Sequence, residues 1–118
     1  MDNKEFSREL EQRTKKFAVR IIKLSAKLPN TPEGRVIRTQ FTKAGSSVGA
    51  NYREANRARS KADFRNKIRI CESEANEAQF WLEVIVEVGW LSLKEIKSNY
   101  DESSELLALF TSIGKSAS

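Results

Sequence analysis

Apolar residues return along this chain at alternating steps of three and four, the spacing that keeps them on one side of an α-helix. Phe6, Leu10, Phe17, Ile21, Leu24 and Leu28 predict a first helix over about residues 3–28, with Lys15, Lys16, Arg20, Lys23 and Lys27 between them. Asp2 followed by Glu5 forms an acidic variant of the capping box at its start. Pro29 stops it, because the residue before a proline is pushed out of the α region. Thr31 as N-cap and Pro32 at the first helical position open a second helix over about residues 32–57. Its seam reads Ile37, Phe41, Ala44, Val48, Asn51, Ala55, Ala58. Ser60, with Asp63 three residues later, starts a third helix over about residues 61–88, whose seam is Phe64, Ile68, Cys71, Ala75, Ala78, Leu82, Ile85 and whose end is capped at Gly89. Ser92 and Glu95 form a capping box for a fourth, over about residues 93–114, carrying Leu93, Ile96, Tyr100, Leu107, Phe110 and Ile113. The weakly helical run DESSE, from Asp101 to Glu105, leaves room for a break there, and the closing GKSAS is expected to fray.

Four helices joined by short links become antiparallel neighbours, so the expected fold is all-α, an up-down-up-down four-helix bundle. No linker, repeat or low-complexity stretch divides residues 1–118, which read as a single domain.

One stretch breaks the apolar pattern. GSSVGANYREANRA, from Gly45 to Ala58, places small residues where bulky ones are expected. A mid-helix glycine costs about 1 kcal/mol relative to alanine, so Gly45 and Gly49 call for an offsetting gain. Four residues apart, they share a face, and close packing against Ala75 and Ala78 of the third helix is the expected reason. Asn51 sits on the seam where an aliphatic residue would fit. Its amide is expected to bond Glu54 or a third-helix carboxylate such as Glu74, forming a polar lock that fixes helix register.

Composition narrows the chemistry. The chain has no histidine, which removes Ser-His and Cys-His nucleophile pairs and His-ligated zinc or haem. Cys71 is the single cysteine, so no internal disulfide forms. The polar start MDNKEFSRELEQRTKK is no signal peptide, and no apolar run approaches the roughly 18 to 20 residues that span a bilayer. A cytoplasmic protein without cofactor, metal or membrane partner is expected. Glu72, Glu74 and Glu77 lack the Glu-x-x-His spacing of bundle di-iron sites, and no catalysis is expected of them.

The net charge of +5 hides a division. Met1 to Ile70 carries 18 Lys and Arg against 7 Asp and Glu (+11), and Cys71 to Ser118 carries 3 against 9 (−6). Such asymmetry fits a polyanion-binding surface, or oppositely charged helices lying side by side, or subunits meeting basic face to acidic face.

SSVGANYREANRARSKADF, followed by CESEANEAQFWLEV, resembles the four-helix-bundle proteins of the 23S rRNA intervening-sequence protein family. The matching positions are Ser47, Val48, Asn51, Glu54 and Arg57, then Glu74, Glu77, Trp81 and Leu82, with Glu33 and Gln40 upstream. The specific match spans about residues 30–90, and the outer helices follow by pattern only. The resemblance implies a bacterial homopentamer around a central channel. It extends to the accessory protein of diversity-generating retroelements, a basic pentamer that binds nucleic acid and its reverse transcriptase. The strongly acidic stretch after Cys71 departs from a uniformly basic barrel.

Two functions follow as expectations. In the first, the homo-oligomer binds RNA or DNA without strong sequence specificity through Arg53, Arg57, Arg59, Lys61 and Arg65 at the second turn and Lys16, Arg20 and Lys23 on the first helix. Tyr52 either stacks on a base or packs inside the bundle, and the cations are alternatively a solvated face with intrahelical pairs such as Glu9 with Arg13. In the second, the chain is a structural or adaptor protein for a protein partner. Trp81 and Trp90 are candidate oligomer contacts under either reading, with core packing as the alternative for each.

Overall fold

The computed structural model describes residues 2–117, which form four helices: α1 (Asn3–Ser25), α2 (Pro32–Ala55), α3 (Lys61–Val88) and α4 (Leu93–Ser116). They stand in chain order around one core, with α2 against α3 the broadest contact and α1 against α4 the narrowest. Cross-helix bonds fix the directions. Ser25 meets Arg38 and Glu11 meets Asn56, Glu83 meets Tyr100 and Glu72 meets Thr111, and Cys71 meets Val48 across the short α2–α3 link, so each neighbour runs antiparallel to the last. The periodicity therefore led to the observed architecture, a four-helix bundle 43 × 25 × 20 Å in extent.

The caps are those the sequence encodes. Side-chain oxygens of Asp2, Thr31, Ser60 and Ser92 each accept the backbone N–H three residues on, at 2.8 to 3.2 Å, satisfying donors that the first helical turn leaves free. Glu95 returns the bond to the Ser92 N–H at 3.0 Å, completing a capping box. Gly89 ends α3 in the left-handed region at φ +89°, which lets the Trp90 N–H reach back to the Ile85 carbonyl at 3.1 Å.

Four points differ from expectation, the smallest being that α2 ends at Ala55 rather than at 57, where the backbone tightens to three-residue bonds from Arg57 to Glu54 and from Ala58 to Ala55. The first helix ends at Ser25, not Leu28: the backbone tightens there to three-residue bonds, Lys27 to Leu24 and Leu28 to Ser25. Arg38 of α2 caps the exit, its Nε donating to Ser25 O at 3.2 Å and its Nη2 to Leu28 O at 2.9 Å. A cation there also suits the negative end of the helix dipole. The fourth helix runs unbroken through DESSE, since Glu102 and Glu105 bond Arg13 of α1 and Ser103 and Ser104 accept from Gln79 of α3. It also stays helical through Ser116, so the expected fraying does not include Gly114, Lys115 or Ser116. Residues 1 and 118 of the expected domain lie outside the described residues.

Phe17, Phe41 and Phe110 are the largest fully buried side chains, and the α3 seam from Ile68 to Ile85 is buried throughout. Tyr52 belongs to this core, 2% exposed, with its ring 5.6 Å from that of Phe110. Of its two expected roles, packing is the one observed.

The glycines pack against a different neighbour from the one expected. A β-carbon on Gly45 would stand 2.5 Å from Ile21 Cγ2, and one on Gly49 would stand 3.2 Å from the Thr14 carbonyl oxygen, so both face α1. They lie one residue beyond Ala44 and Val48, and that one-residue step turns them about 100° around the helix, away from α3. Ala75 and Ala78 are fully buried on the α3 seam, and α2 approaches that seam through Val48, whose carbonyl oxygen lies 3.5 Å from the Cys71 thiol. Close approach is thus real on both sides of α2, with the glycines serving α1.

Candidate nucleic-acid interface

The turn between α2 and α3 is closed by its own backbone and by short side chains. Asn56, Arg57 and Ala58 donate their N–H groups to Tyr52, Glu54 and Ala55 at 3.0 to 3.1 Å. Ser60 caps α3, and Asp63 accepts from the Arg59 N–H at 3.3 Å. Ala55 is buried beneath the turn. No guanidinium is needed to hold this loop together, and Arg57, Arg59 and Lys61 project into solvent.

Residues 57–70 carry six cations, namely Arg57, Arg59, Lys61, Arg65, Lys67 and Arg69, against one carboxylate, Asp63. None of the six takes part in an ion pair among the described residues. Lys61, Arg65 and Arg69 are spaced four apart and form a line along α3, about 6 Å per step. Arg65 and Arg69 border a cleft of about 220 Å³ with Lys115 across from them on α4. The Glu72 carboxylate in this cleft is occupied by a hydrogen bond from the Thr111 hydroxyl.

Other cations behave differently. Arg53 lies 3.8 Å from Glu11 across the α1–α2 seam. Arg13 donates to Glu102 at 2.8 and 2.7 Å and to Glu105 at 3.2 Å, and the Glu102 bond above all holds its pKa above the ordinary arginine value. Lys27 reaches Glu95 at 3.6 Å. Part of the charge division between the two halves of the chain is therefore taken up in pairing basic α1 with acidic α4.

Lys16, Arg20 and Lys23 are exposed and share one stripe of α1. The structure does not bring them to the turn. The start of α1 lies beside the end of α2, and Arg20 stands 14 residues further along, about 21 Å away from Phe6 at the turn end. The expected site divides into an α2–α3 patch and a separate α1 stripe.

The polar lock is also rearranged. Asn51 donates to the Ser47 carbonyl of its own helix at 2.8 Å, while Glu54 faces solvent. Its amide lies on the flank of α2 and is short, so the carbonyl one turn back is the partner within reach. Glu74 instead stands near the Ser47 side chain, one turn from Asn51, and among the described residues Asn51 makes no bond across to α3. Burial, followed by the neighbouring Glu77, raises the Glu74 pKa; the Ser47 hydroxyl and Lys43 oppose them. Burial likewise pushes the Cys71 thiol up to about 12, which keeps it protonated at neutral pH. Among the described residues, no three His, Cys, Asp or Glu side chains converge where a metal would sit. No helix among them is long and apolar enough to cross a membrane.

Trp81 is half-buried on the α3 flank, its indole N–H donating to Glu77 at 3.2 Å and its ring 5.0 Å from Phe80. Trp90 is half-buried at the α3–α4 turn. Sequence reasoning missed the neighbours of Trp81. Phe80 and Val88 are 52% and 53% exposed and, with half-buried Val84 between them, form a second apolar line on α3. The four-residue spacing of Phe80, Val84 and Val88 was the available signal.

Comparison with known proteins adds to this picture. No curated protein matches the chain. A crystal structure at 1.70 Å of a protein of unknown function, from the S23 ribosomal protein family of Bacteroides thetaiotaomicron VPI-5482, is 38% identical with a TM-score of 0.83, covering 89% of this chain and 97% of that one. Residues 7–112, from the first turns of α1 almost to the end of α4, match the model described as 23S rRNA-intervening sequence protein. The chain belongs to the 23S rRNA-intervening sequence protein family.

Proposed function

We propose that this protein is a non-catalytic, cytoplasmic homo-oligomer that binds RNA or DNA without strong sequence specificity, requiring no cofactor. The observation that carries the reading is the set of six cations at residues 57–69, in no ion pair among the described residues and gathered towards one end of the bundle. Cations already paired within the fold would have to give up a partner to bind phosphate; these do not. Phosphates neutralised there release counterions, so binding is strongly salt-dependent. The exposed Phe80–Val88 line on α3, beside Trp81, is the surface through which copies assemble, and the assembly is the homopentamer that the family resemblance implies. Repetition of the patch by symmetry makes several weak contacts act as one stronger contact.

The test is a titration of labelled single strands and duplexes of RNA and DNA by anisotropy at two salt concentrations, with the mass of the free protein measured by light scattering. The expected results are an oligomer and an affinity that falls about a hundredfold between about 50 and 200 mM salt. Absence of binding at micromolar protein in low salt rejects the nucleic-acid reading. The same exposed line, Phe80 and Val88, favours a second reading, an adaptor whose protein partner covers it. A monomer in solution with no affinity for nucleic acid is the outcome that selects the adaptor.

A further inference from the structure

At the end of the bundle that carries the α2–α3 turn, two open cavities lie side by side. One, of about 400 Å³, is lined by Phe6 of α1, Phe64 of α3 and Ser112 of α4. The other, of about 540 Å³, is lined by Arg59, Ser60 and Lys61. They share Asn56, Phe64, Ser116 and Ala117, so together they make one groove across the bundle end, and each falls within the size range of small-molecule pockets. The Phe6 ring is 37% exposed and Phe64 is half-buried. Asn56 donates its amide to Glu11 at 2.8 Å, while its side-chain carbonyl accepts no hydrogen bond among the described residues.

We infer that this groove receives an unpaired base of a nucleic-acid strand, with Phe6 and Phe64 as its stacking walls and Arg59 and Lys61 on the flanking phosphates. The inference rests on the nucleic-acid reading and makes it more specific: the preferred ligand is single-stranded. Charge complementarity identifies the occupant. An apolar floor beneath a cationic lip fits a ligand with a flat apolar face joined to an anion, and a nucleotide is such a ligand. Bases in a duplex are stacked on each other and cannot enter, whereas an unpaired base has its π-face available whatever its identity. From the lip, the Lys61–Arg65–Arg69 line continues along α3 and offers a path for successive phosphates. Tyr52, the aromatic residue that the sequence singles out for this task, reaches the wall of the 400 Å³ cavity but is only 2% exposed, so Phe6 and Phe64 offer the accessible faces instead.

The experiment compares a labelled single strand with the duplex made from it, at low salt, for the parent protein and for Phe6→Ala and Phe6→Trp. Phe6 lies in the first turns of α1 and is partly exposed, and circular dichroism checks that helicity is retained. The single strand is expected to bind about tenfold tighter than the duplex. Phe6→Ala is expected to remove most of that preference while leaving duplex affinity within about twofold, and Phe6→Trp is expected to restore it, with indole quenching on binding. If single strand and duplex bind equally and Phe6→Ala changes neither, the groove assignment is overturned and the basic patch alone accounts for binding. If neither binds at all, the nucleic-acid reading itself has failed, and the groove assignment with it.

Discussion

Ile21 occupies the space that a side chain on Gly45 would need. A β-carbon there would stand 2.5 Å from Ile21 Cγ2 and 2.7 Å from its Cβ, and Ile21 is fully buried. A β-branched side chain cannot swing its Cβ away. Gly45→Ala therefore gains about 1 kcal/mol of helix propensity and loses about 1–3 kcal/mol to overpacking, for a net destabilisation. At Gly49 the nearest atom is Thr14 Oγ1 at 3.1 Å, where a shift of a few tenths of an ångström suffices, and Gly49→Ala is expected to be the milder change. Urea unfolding midpoints rank the two. In addition, Ile21→Ala should cost less in the Gly45→Ala background than in the parent protein, and simple additivity would refute the contact.

Glu74 gives a pH signature. Burial and Glu77 hold its folded-state pKa above the ordinary 4.5, so the folded chain binds this proton more tightly than the unfolded chain does. The stabilisation from protonation is fully present below pH 4.5 and is lost as pH rises through the folded-state value. Glu74→Gln, close in size and uncharged, should accordingly be more stable than the parent at neutral pH. The gap should close as the solution is acidified below 4.5. A gap that widens on acidification contradicts the assignment; melting temperatures across the range decide it.

Asn99 is 6% exposed on the inner face of α4, and its carbonyl oxygen accepts no hydrogen bond among the described residues. A buried polar atom in that condition costs about 1–3 kcal/mol. Asn99→Leu, similar in size and apolar, is expected to raise stability by roughly that amount. Thermal unfolding of the two proteins side by side is the measurement, and an unchanged or lowered midpoint would show that the amide is satisfied.

How much of this was legible in the residues depends on the kind of question asked. Helix starts were legible because each rests on local chemistry, such as Ser60 accepting from Asp63 or Ser92 exchanging bonds with Glu95. The end of α1 was not, because Arg38, 13 residues beyond Ser25, supplies its cap from another helix. The glycines were recognised as close-approach positions but given the wrong partner: a heptad seam identifies one buried face of α2, whereas a helix in a bundle has two neighbours. Asn51 was misplaced for the same reason, lying at the flank of its seam. The cations were visible as a composition, but which are paired and which are free is a tertiary fact. Arg13 and Arg57 look alike in the sequence, yet one is tied to Glu102 and the other has no ion-pair partner among the described residues.

That distinction separates the two basic regions experimentally. Changing Arg57, Arg59 and Lys61 together to Ala removes three exposed side chains and leaves the Ser60 cap intact, so the melting temperature should hold. If the turn end is the principal interface, this variant weakens nucleic-acid binding. It also reduces the salt slope by about two, near 0.7 for each phosphate of a single strand that is no longer neutralised. Changing Lys16, Arg20 and Lys23 instead removes the same formal charge from the α1 stripe. A purely nonlocal attraction to net charge would make the two variants equal. A local interface makes the turn variant the weaker binder, and the comparison cancels the common change in net charge. Equal losses of affinity from both variants would mean that the chain binds polyanions as a diffuse cation, and the turn would forfeit its special role.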